Sequence, residues 1–435
     1  MINLNKYKEG IESADLIVNS GQISQIVGLT IESVGPYVNI GDLCKIHSGP
    51  GKDLKAEVVG IKDNKVLLMP LGDMEGIGAG SSVFSTGDTL TVKVGQKLKG
   101  RVLNGLGEPI DDKGELEYEK EYPVQNTPPH PLSRNRIRDQ LSLGVKVIDG
   151  LLSIGKGQRV GIFAGSGVGK STLMGMIARN TKADINVIAL IGERGREVRE
   201  FLEKDLGEEG LARSVVVIAT SDQPALIRIK AAFLATAVAE YFRDEGHDVM
   251  LLMDSLTRFS MAQREVGLAT GEPPVSRGYT PSVFTMMPKL LERAGNSSKG
   301  SITGLYTVLV DGDDMTEPVT DTARGILDGH IVLSRKIANK NHYPAIDVLA
   351  SVSRVMGDVA EAGQMENARN IKKIMAVHRE AEDLINIGAY VKGSNKDIDL
   401  AVSKIDAING FLQQRTHEKI GLQETLKIMN DIVGG

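Results

Sequence analysis

The chain has 435 residues, enough for two or three domains that each bury a core, and its 41% apolar and 25% charged content excludes a disordered or membrane-embedded protein. With 51 basic against 56 acidic residues, no general affinity for nucleic acid or anionic lipid is implied. The single cysteine, Cys44, excludes an intramolecular disulfide framework, suits a reducing compartment, and reads as a small buried apolar residue.

The amino terminus, Met1-Ile2-Asn3-Leu4-Asn5-Lys6, lacks the apolar core of a signal peptide. The longer apolar stretches, 187–191 and 249–253, are strand-sized and far short of the ~20 residues a spanning helix needs. The expected location is cytoplasmic, or peripheral on a cytosolic membrane face. Residues 1–93 hold short β-rich runs, among them 25–31, 57–61 and 65–69, separated by turn clusters such as Ser48-Gly49-Pro50-Gly51-Lys52, which predicts a small β-barrel. From 94 to 365 apolar strands alternate with helical stretches, the pattern of an α/β domain on a parallel sheet, with strand candidates at 160–164, 185–191, 215–219, 249–254 and 304–310. Helical periodicity takes over at 366–435, where Met365, Ala368, Ile371, Ile374 and Met375 mark one apolar face and Ile405, Ile408, Phe411 and Leu412 another.

Residues Ala164-Gly165-Ser166-Gly167-Val168-Gly169-Lys170-Ser171-Thr172 follow one strand candidate and open a helix, which is a phosphate-binding loop. Its glycines let backbone amides line a nest around a phosphate, Lys170 supplies a point charge for the β and γ oxygens, and the Ser171 hydroxyl is placed to hold Mg²⁺. Ala164 stands where the strict pattern has glycine. The strand candidate 249–254 ends in Asp254, the carboxylate such a site needs for Mg²⁺. In Gly192-Glu193-Arg194-Gly195-Arg196-Glu197, Glu193 is a candidate to polarise an attacking water, with arginines to neutralise developing charge. A solvated charged turn explains that spacing equally well.

Five segments resemble the ATPase of type III protein export, particularly its flagellar branch, itself similar to the catalytic beta subunit of rotary ATP synthases. They are Gly192-Glu193-Arg194-Gly195-Arg196-Glu197-Val198, Met253-Asp254-Ser255-Leu256-Thr257-Arg258-Phe259, Gly271-Glu272-Pro273-Pro274, Gly278-Tyr279-Thr280-Pro281-Ser282-Val283-Phe284 and Tyr343-Pro344-Ala345-Ile346-Asp347. The resemblance covers essentially the whole chain and implies a RecA-like P-loop ATPase core with an amino-terminal β-barrel and a carboxyl-terminal helical domain. It implies that Lys170 and Ser171 are phosphate and Mg²⁺ ligands, Glu193 the catalytic carboxylate, Asp254 the Walker-B aspartate, and Arg194 and Arg258 active-site arginines. Tyr343 is expected to pack on the adenine ring, and Arg354 to enter a neighbouring subunit's site in a homohexameric ring.

Residues 387–394, Ile-Gly-Ala-Tyr-Val-Lys-Gly-Ser, stand where the rotary beta subunit carries an acidic Asp-Glu-Leu-Ser-Glu-Glu-Asp segment, which disfavours coupling to a rotor. The expected task is Mg²⁺-dependent ATP hydrolysis that detaches export substrates from chaperones and delivers them to the membrane proteins of an export gate. A stalk-like protein in the ring is expected as well, with a dimeric regulator docked on Ile2, Leu4, Ile11 and Leu16 at the amino terminus. A virulence-associated secretion ATPase is the alternative. A non-catalytic ring subunit would carry glutamine in place of Glu193. A ring-shaped RNA translocase would need a basic, aromatic barrel, whereas residues 1–95 hold 8 Lys+Arg against 11 Asp+Glu, with only Tyr7, Tyr37 and Phe84 as aromatics. No nucleic-acid partner is expected.

Overall fold

Two burial periodicities, one of two residues and one continuous, divide the chain. The structure, a computed structural model, describes residues 19–47, 53–310, 312 and 314–434. The turn cluster at 48–52 and the apolar positions Ile2, Leu4, Ile11 and Leu16 lie outside the described residues. Two compact units form, one of Met1–Leu90 with Glu265–Glu272 and the other of Thr91–Arg264 with Pro273–Gly435.

In the first unit, strands β1 (Ser20–Val27), β2 (Thr30–Val34), β3 (Asp42–His47), β4 (Asp53–Lys62), β5 (Lys65–Pro70) and β6 (Ser82–Thr89) close into a barrel in the order β1-β2-β5-β4-β3-β6. Alternate side chains turn inward, so that Cys44 and Ile46, Ala56 and Val58, and Val66 and Leu68 fill the interior as pairs two residues apart. Closure removes open strand edges. The β-rich run 25–31 spans a hairpin: Gly28 takes φ +58°, a left-handed turn that needs no Cβ, and Ile26 pairs with Ile31 across it. Cys44 is fully buried, and burial, helped by the Asp42 charge, pushes its thiol up to about 11, which makes it an inert core residue.

The second unit begins with β7 (Thr91–Val94), which forms a ribbon with β9 (Lys120–Pro123). Strands β8 (Val102–Asn104), β10 (Arg159–Ala164), β11 (Ile185–Ile191), β12 (Ser214–Ala219), β13 (Asp248–Asp254), β14 (Gly295–Asn296), β15 (Ser301–Leu309), β16 (Gly329–Leu333) and β17 (Val352–Ser353) build one sheet. Its order is β17-β16-β10-β15-β13-β11-β12-β8, with β14 paired to β15. All contacts from β16 to β8 are parallel. Parallel strands covered on both faces read as unbroken apolar runs, and no residue of β11, β12 or β15 is exposed.

The helices that bear on the site are α1 (Lys170–Asn180), α2 (Gly195–Glu200), α3 (Ala225–Asp244), α4 (Ala362–Asn386), α5 (Lys396–Leu412) and α6 (Leu422–Gly434). The faces expected on the carboxyl-terminal helices do turn inward: Ala368, Ile371, Ile374, Ile408, Phe411 and Leu412 are buried. They join the same apolar cluster as Val160 and Ile162 of β10 and Leu173 of α1, so the helical tail shares the sheet's core.

One buried ion pair crosses this unit. Arg293 donates to Glu240 of α3 through Nε at 2.9 Å and Nη2 at 2.6 Å, and through Nη1 to the Val124 carbonyl at 2.7 Å. Both side chains are sealed from solvent. Breaking such a pair strands an uncompensated charge in the core. Glu240→Ala is expected to cost about 3–5 kcal/mol of stability, measured by chemical denaturation; a loss no larger than that of an exposed-charge variant would refute the assignment.

Candidate nucleotide site

The carboxyl ends of parallel strands form the crevice where such sheets bind ligands. At that edge β10 ends at Ala164, the glycine-rich loop turns, and α1 begins at Lys170. Gly167 (φ +76°) and Gly169 (φ +88°) occupy left-handed conformations, which allows the loop to wrap tightly onto the helix amino terminus. Val168 is buried beneath the loop, while Ser166 and Ser171 face outward and Thr172 is half-buried.

Sheet order then brings three distant residues together. β15 lies between β10 and β13, and β11 lies beyond β13, so loop, Asp254 and Glu193 arise from three different strands along one edge. Lys170 Nζ donates to Asp254 Oδ1 at 2.5 Å and stands 3.6 Å from Glu193 Oε1. Thr307, fully buried on the intervening β15, donates to the same Asp254 Oδ1 at 2.7 Å. Arg258 stands beside them: a Cβ on Gly192 (φ +70°) would come within 2.9 Å of its Cβ, so the glycine permits this approach. Its Nε is buried without a hydrogen-bond partner.

The electrostatics follow from burial. Desolvation alone would lower the Lys170 ammonium, but the Asp254 and Glu193 carboxylates outweigh it and hold its pKa above the ordinary value. Glu193 is 9% exposed, and burial, reinforced by the Asp254 charge and only partly opposed by Lys170, pushes its carboxyl up to about 7. A surface turn would show neither feature, so the solvated-turn reading of Glu193 is not what forms.

Whether these residues suit Mg²⁺ can be tested on their own geometry. Glu193 Oε1 is buried without a hydrogen bond, and Ser171, Glu193, Glu197 and Asp254 line a space of about 20 Å³. All the donors are hard oxygens. Among the described residues no group of three or more His, Cys, Asp or Glu forms a self-contained metal cage. Mg²⁺ does not require one, because it binds through one or two carboxylates plus substrate phosphates and water. The residues fit the ion.

A larger cavity of about 1040 Å³ adjoins the loop, lined by Gly167, Gly169, Thr172, Tyr343, Lys146 and the segment 413–418. Tyr343 is 42% exposed, and its ring would lie 3.5 Å from a Cβ on Gly169, so it stands against the phosphate loop. Two expected residues lie apart from the charged cluster. Arg194 is largely exposed and pairs with Glu197 at 3.3 Å. Arg354 is exposed, its Nη2 donating to the Arg324 carbonyl at 3.2 Å. Its backbone N–H donates to Asp328, whose N–H in turn donates to Arg159, the first residue of β10. The phosphate loop follows the last residue of that strand, roughly 20 Å away at ~3.3 Å per residue. Arg354 therefore cannot reach the loop of its own chain.

Sequence reasoning did not single out Thr307, Glu197 or the 413–418 wall. Glu197 was legible in principle, because it lies four residues from Glu193. Thr307 was one of many threonines, and only strand pairing shows that it faces Asp254.

A phosphate loop answered by an aspartate two strands away, with a buried carboxylate on the next strand, defines a P-loop nucleoside triphosphatase with a RecA-like core. Residues 144–353 match the nucleotide-binding domain of the ATP synthase alpha/beta family, 23–87 that family's beta-barrel domain, and 360–431 the T3SS EscN ATPase C-terminal domain. The chain is 54% identical to a flagellum-specific ATP synthase of Bacillus subtilis over 98% of its length and 97% of that protein. It is 49% identical to a type 3 secretion system ATPase of Xanthomonas euvesicatoria over 95% of its length and 93% of that protein. The assembled ATPase EscN of enteropathogenic E. coli, solved in complex with its central stalk EscO, superposes with a TM-score of 0.89 at 46% identity, covering 95% of this chain and all of that one. This chain belongs to the family of flagellum-specific ATP synthases and type III secretion system ATPases, and it is an ATPase.

The raised Glu193 carboxyl has a consequence for the nucleotide-free protein. A group whose folded pKa exceeds its ordinary 4.5 holds its proton more tightly when folded, so its stabilising contribution is complete below that value and is lost as pH rises through about 7. Denaturant titrations between these limits should show the wild type losing on the order of 2–3 kcal/mol relative to Glu193→Gln. Parallel stability curves would contradict the shift.

Proposed function

We propose that this chain hydrolyses ATP as a subunit of a homohexameric ring that serves flagellar type III protein export, releasing substrates from chaperones and presenting them to the membrane-embedded export gate. The observation that carries the hydrolytic reading is the convergence of Lys170, Asp254 and a buried, proton-avid Glu193 at one sheet edge. Glutamine at position 193, as in a non-catalytic ring subunit, would have no such acid-base chemistry. The 54% identity to a flagellum-specific ATP synthase supports the flagellar assignment.

In this reading the amides of Gly165, Ser166, Gly167, Val168 and Gly169 cradle the phosphates, Lys170 and Thr172 contact them, and the cavity beside Tyr343 takes the adenine. Ser171 and Asp254 hold Mg²⁺, which when bound neutralises charge on the β and γ oxygens. Glu193 orients and deprotonates the attacking water, the role its raised carboxyl suits near neutral pH. Thr307 and Lys170 share Asp254 Oδ1, so Oδ2, which takes neither of those bonds, would be the oxygen offered toward the ion. Arg258 lies beside Glu193 and stabilises its charged form.

Arg354 acts on a neighbour. Its position at the far end of β10 supports service in another subunit's site, where a guanidinium stabilises charge on the transferring phosphoryl group. Arg194, exposed and paired with Glu197 three residues on, can turn toward a γ-phosphate. The EscN complex supports a stalk protein within the ring. Among the described residues no helix is long and apolar enough to cross a membrane, so attachment to the export gate is peripheral in this proposal. The dimeric regulator remains assigned to the amino terminus, outside the described residues. The 49% identity to the Xanthomonas enzyme favours a virulence-type secretion ATPase as the second reading, with identical chemistry.

Glu193→Gln is expected to bind ATP normally while turnover falls by on the order of 10²–10⁴. Arg354→Ala should also retain ATP binding and lose turnover by on the order of 10³. Wild-type turnover per subunit should fall on dilution as the ring dissociates. Activity per subunit that stays constant down to the monomer would overturn the shared-site reading.

A further inference from the structure

The cavity beside Tyr343 owes one wall to residues 413–418, which join α5 to α6 and lie more than two hundred residues beyond the phosphate loop. Gln414 in that segment is 5% exposed, and its side-chain amide is spent entirely within the protein. Its Oε1 accepts from the Lys146 backbone N–H at 2.8 Å, and its Nε2 donates to the Gly144 carbonyl at 2.9 Å and the Glu418 carbonyl at 3.0 Å. Its own backbone N–H donates to the Tyr343 carbonyl at 3.0 Å. One residue thereby ties three walls of the cavity: the turn at 144–146, the Tyr343 loop, and the segment that carries Arg415, Thr416 and His417.

Both amide hydrogens are committed, so Gln414 has no donor to offer a ligand and acts only through what it holds. The remaining anchors of the segment hold other parts of it. Lys146 Nζ stands 3.7 Å from Glu418, Arg179 donates to the Thr416 carbonyl at 2.7 Å, and the Arg415 N–H donates to Glu418 at 2.9 Å. None of these reaches Tyr343.

We propose that Gln414 is a positioning residue for the nucleotide base: it sets the separation between the Tyr343 ring and the 413–418 wall. It thereby fixes how much of the affinity for ATP comes from the base rather than from the phosphates. The proposal rests on the reading that this cavity takes the adenine. A base held between preformed walls costs little ordering on binding, whereas a wall released from Gly144 and Lys146, and held to Tyr343 by the Gln414 backbone N–H alone, must be ordered by the ligand itself.

The test compares affinities of the full chain for ATP, GTP and inorganic tripolyphosphate, each with Mg²⁺, by calorimetry. Wild type should prefer ATP to tripolyphosphate. Gln414→Ala should lose about tenfold or more in ATP affinity and most of its preference for ATP over GTP, with tripolyphosphate affinity unchanged and KM rising while kcat holds. Gln414→Met keeps the side chain's approximate size and its neutrality while removing the acceptor and both donors, carries the same expectation, and serves should the alanine variant not fold. Loss of tripolyphosphate affinity in parallel with ATP, or no change in either, would overturn the role of Gln414. Equal affinity of the wild type for ATP and tripolyphosphate would instead overturn the adenine reading of the cavity.

Discussion

Everything at the functional edge of this molecule is organised around one ammonium group. Lys170 is shared between Asp254 and Glu193, and it leaves water only because those carboxylates neutralise it. The arrangement is satisfied but exchangeable. In the proposed reaction a triphosphate would bring negative charge to the same ammonium and compete with both carboxylates for it. Glu193 feels this most directly, since Lys170 is the main influence keeping its carboxyl from rising further.

Holding three charges in register requires a stiff frame, and the sheet supplies it. With β15 inserted between β10 and β13, Thr307 comes under Asp254, and parallel register fixes the spacing of the three contributing strand ends. Behind that edge the Glu240–Arg293 pair ties α3 to the chain beyond β13. The carboxyl-terminal helices then pack into the same core as β10 and α1 and place residues 413–418 beside the phosphate loop. The tail thus lines the cavity beside the phosphate loop and shares the sheet's core.

How much of this could be read in the chain depended on how local each feature is. The phosphate loop is contiguous, and its glycines, lysine and serine state their chemistry in order. The central strands are long apolar runs, and the structure keeps them close to the expected limits. In the run at 25–31 the turn was not legible, because a glycine within apolar neighbours looks the same in a strand and in a tight turn until the partner strand is known. Glu193 stood undecided between catalyst and surface charge, since burial is not a local property. Gln414 carried no signal: a glutamine near a helix end is unremarkable until Gly144, Lys146 and Tyr343 arrive around it.

Sequence by itself determined the phosphate-loop motif, where it stands, and the alternation of strands and helices that presents it. Those properties depend on backbone conformation and on side chains within a few residues of one another. Tertiary structure alone decided that Glu193 is buried beside Lys170 and Asp254, and that Arg354 sits at the wrong end of β10 to serve its own loop. It also decided that the tail closes the cavity beside Tyr343. Each of these turns on strand order and on the desolvation that packing imposes, and neither is encoded in any short stretch of the chain.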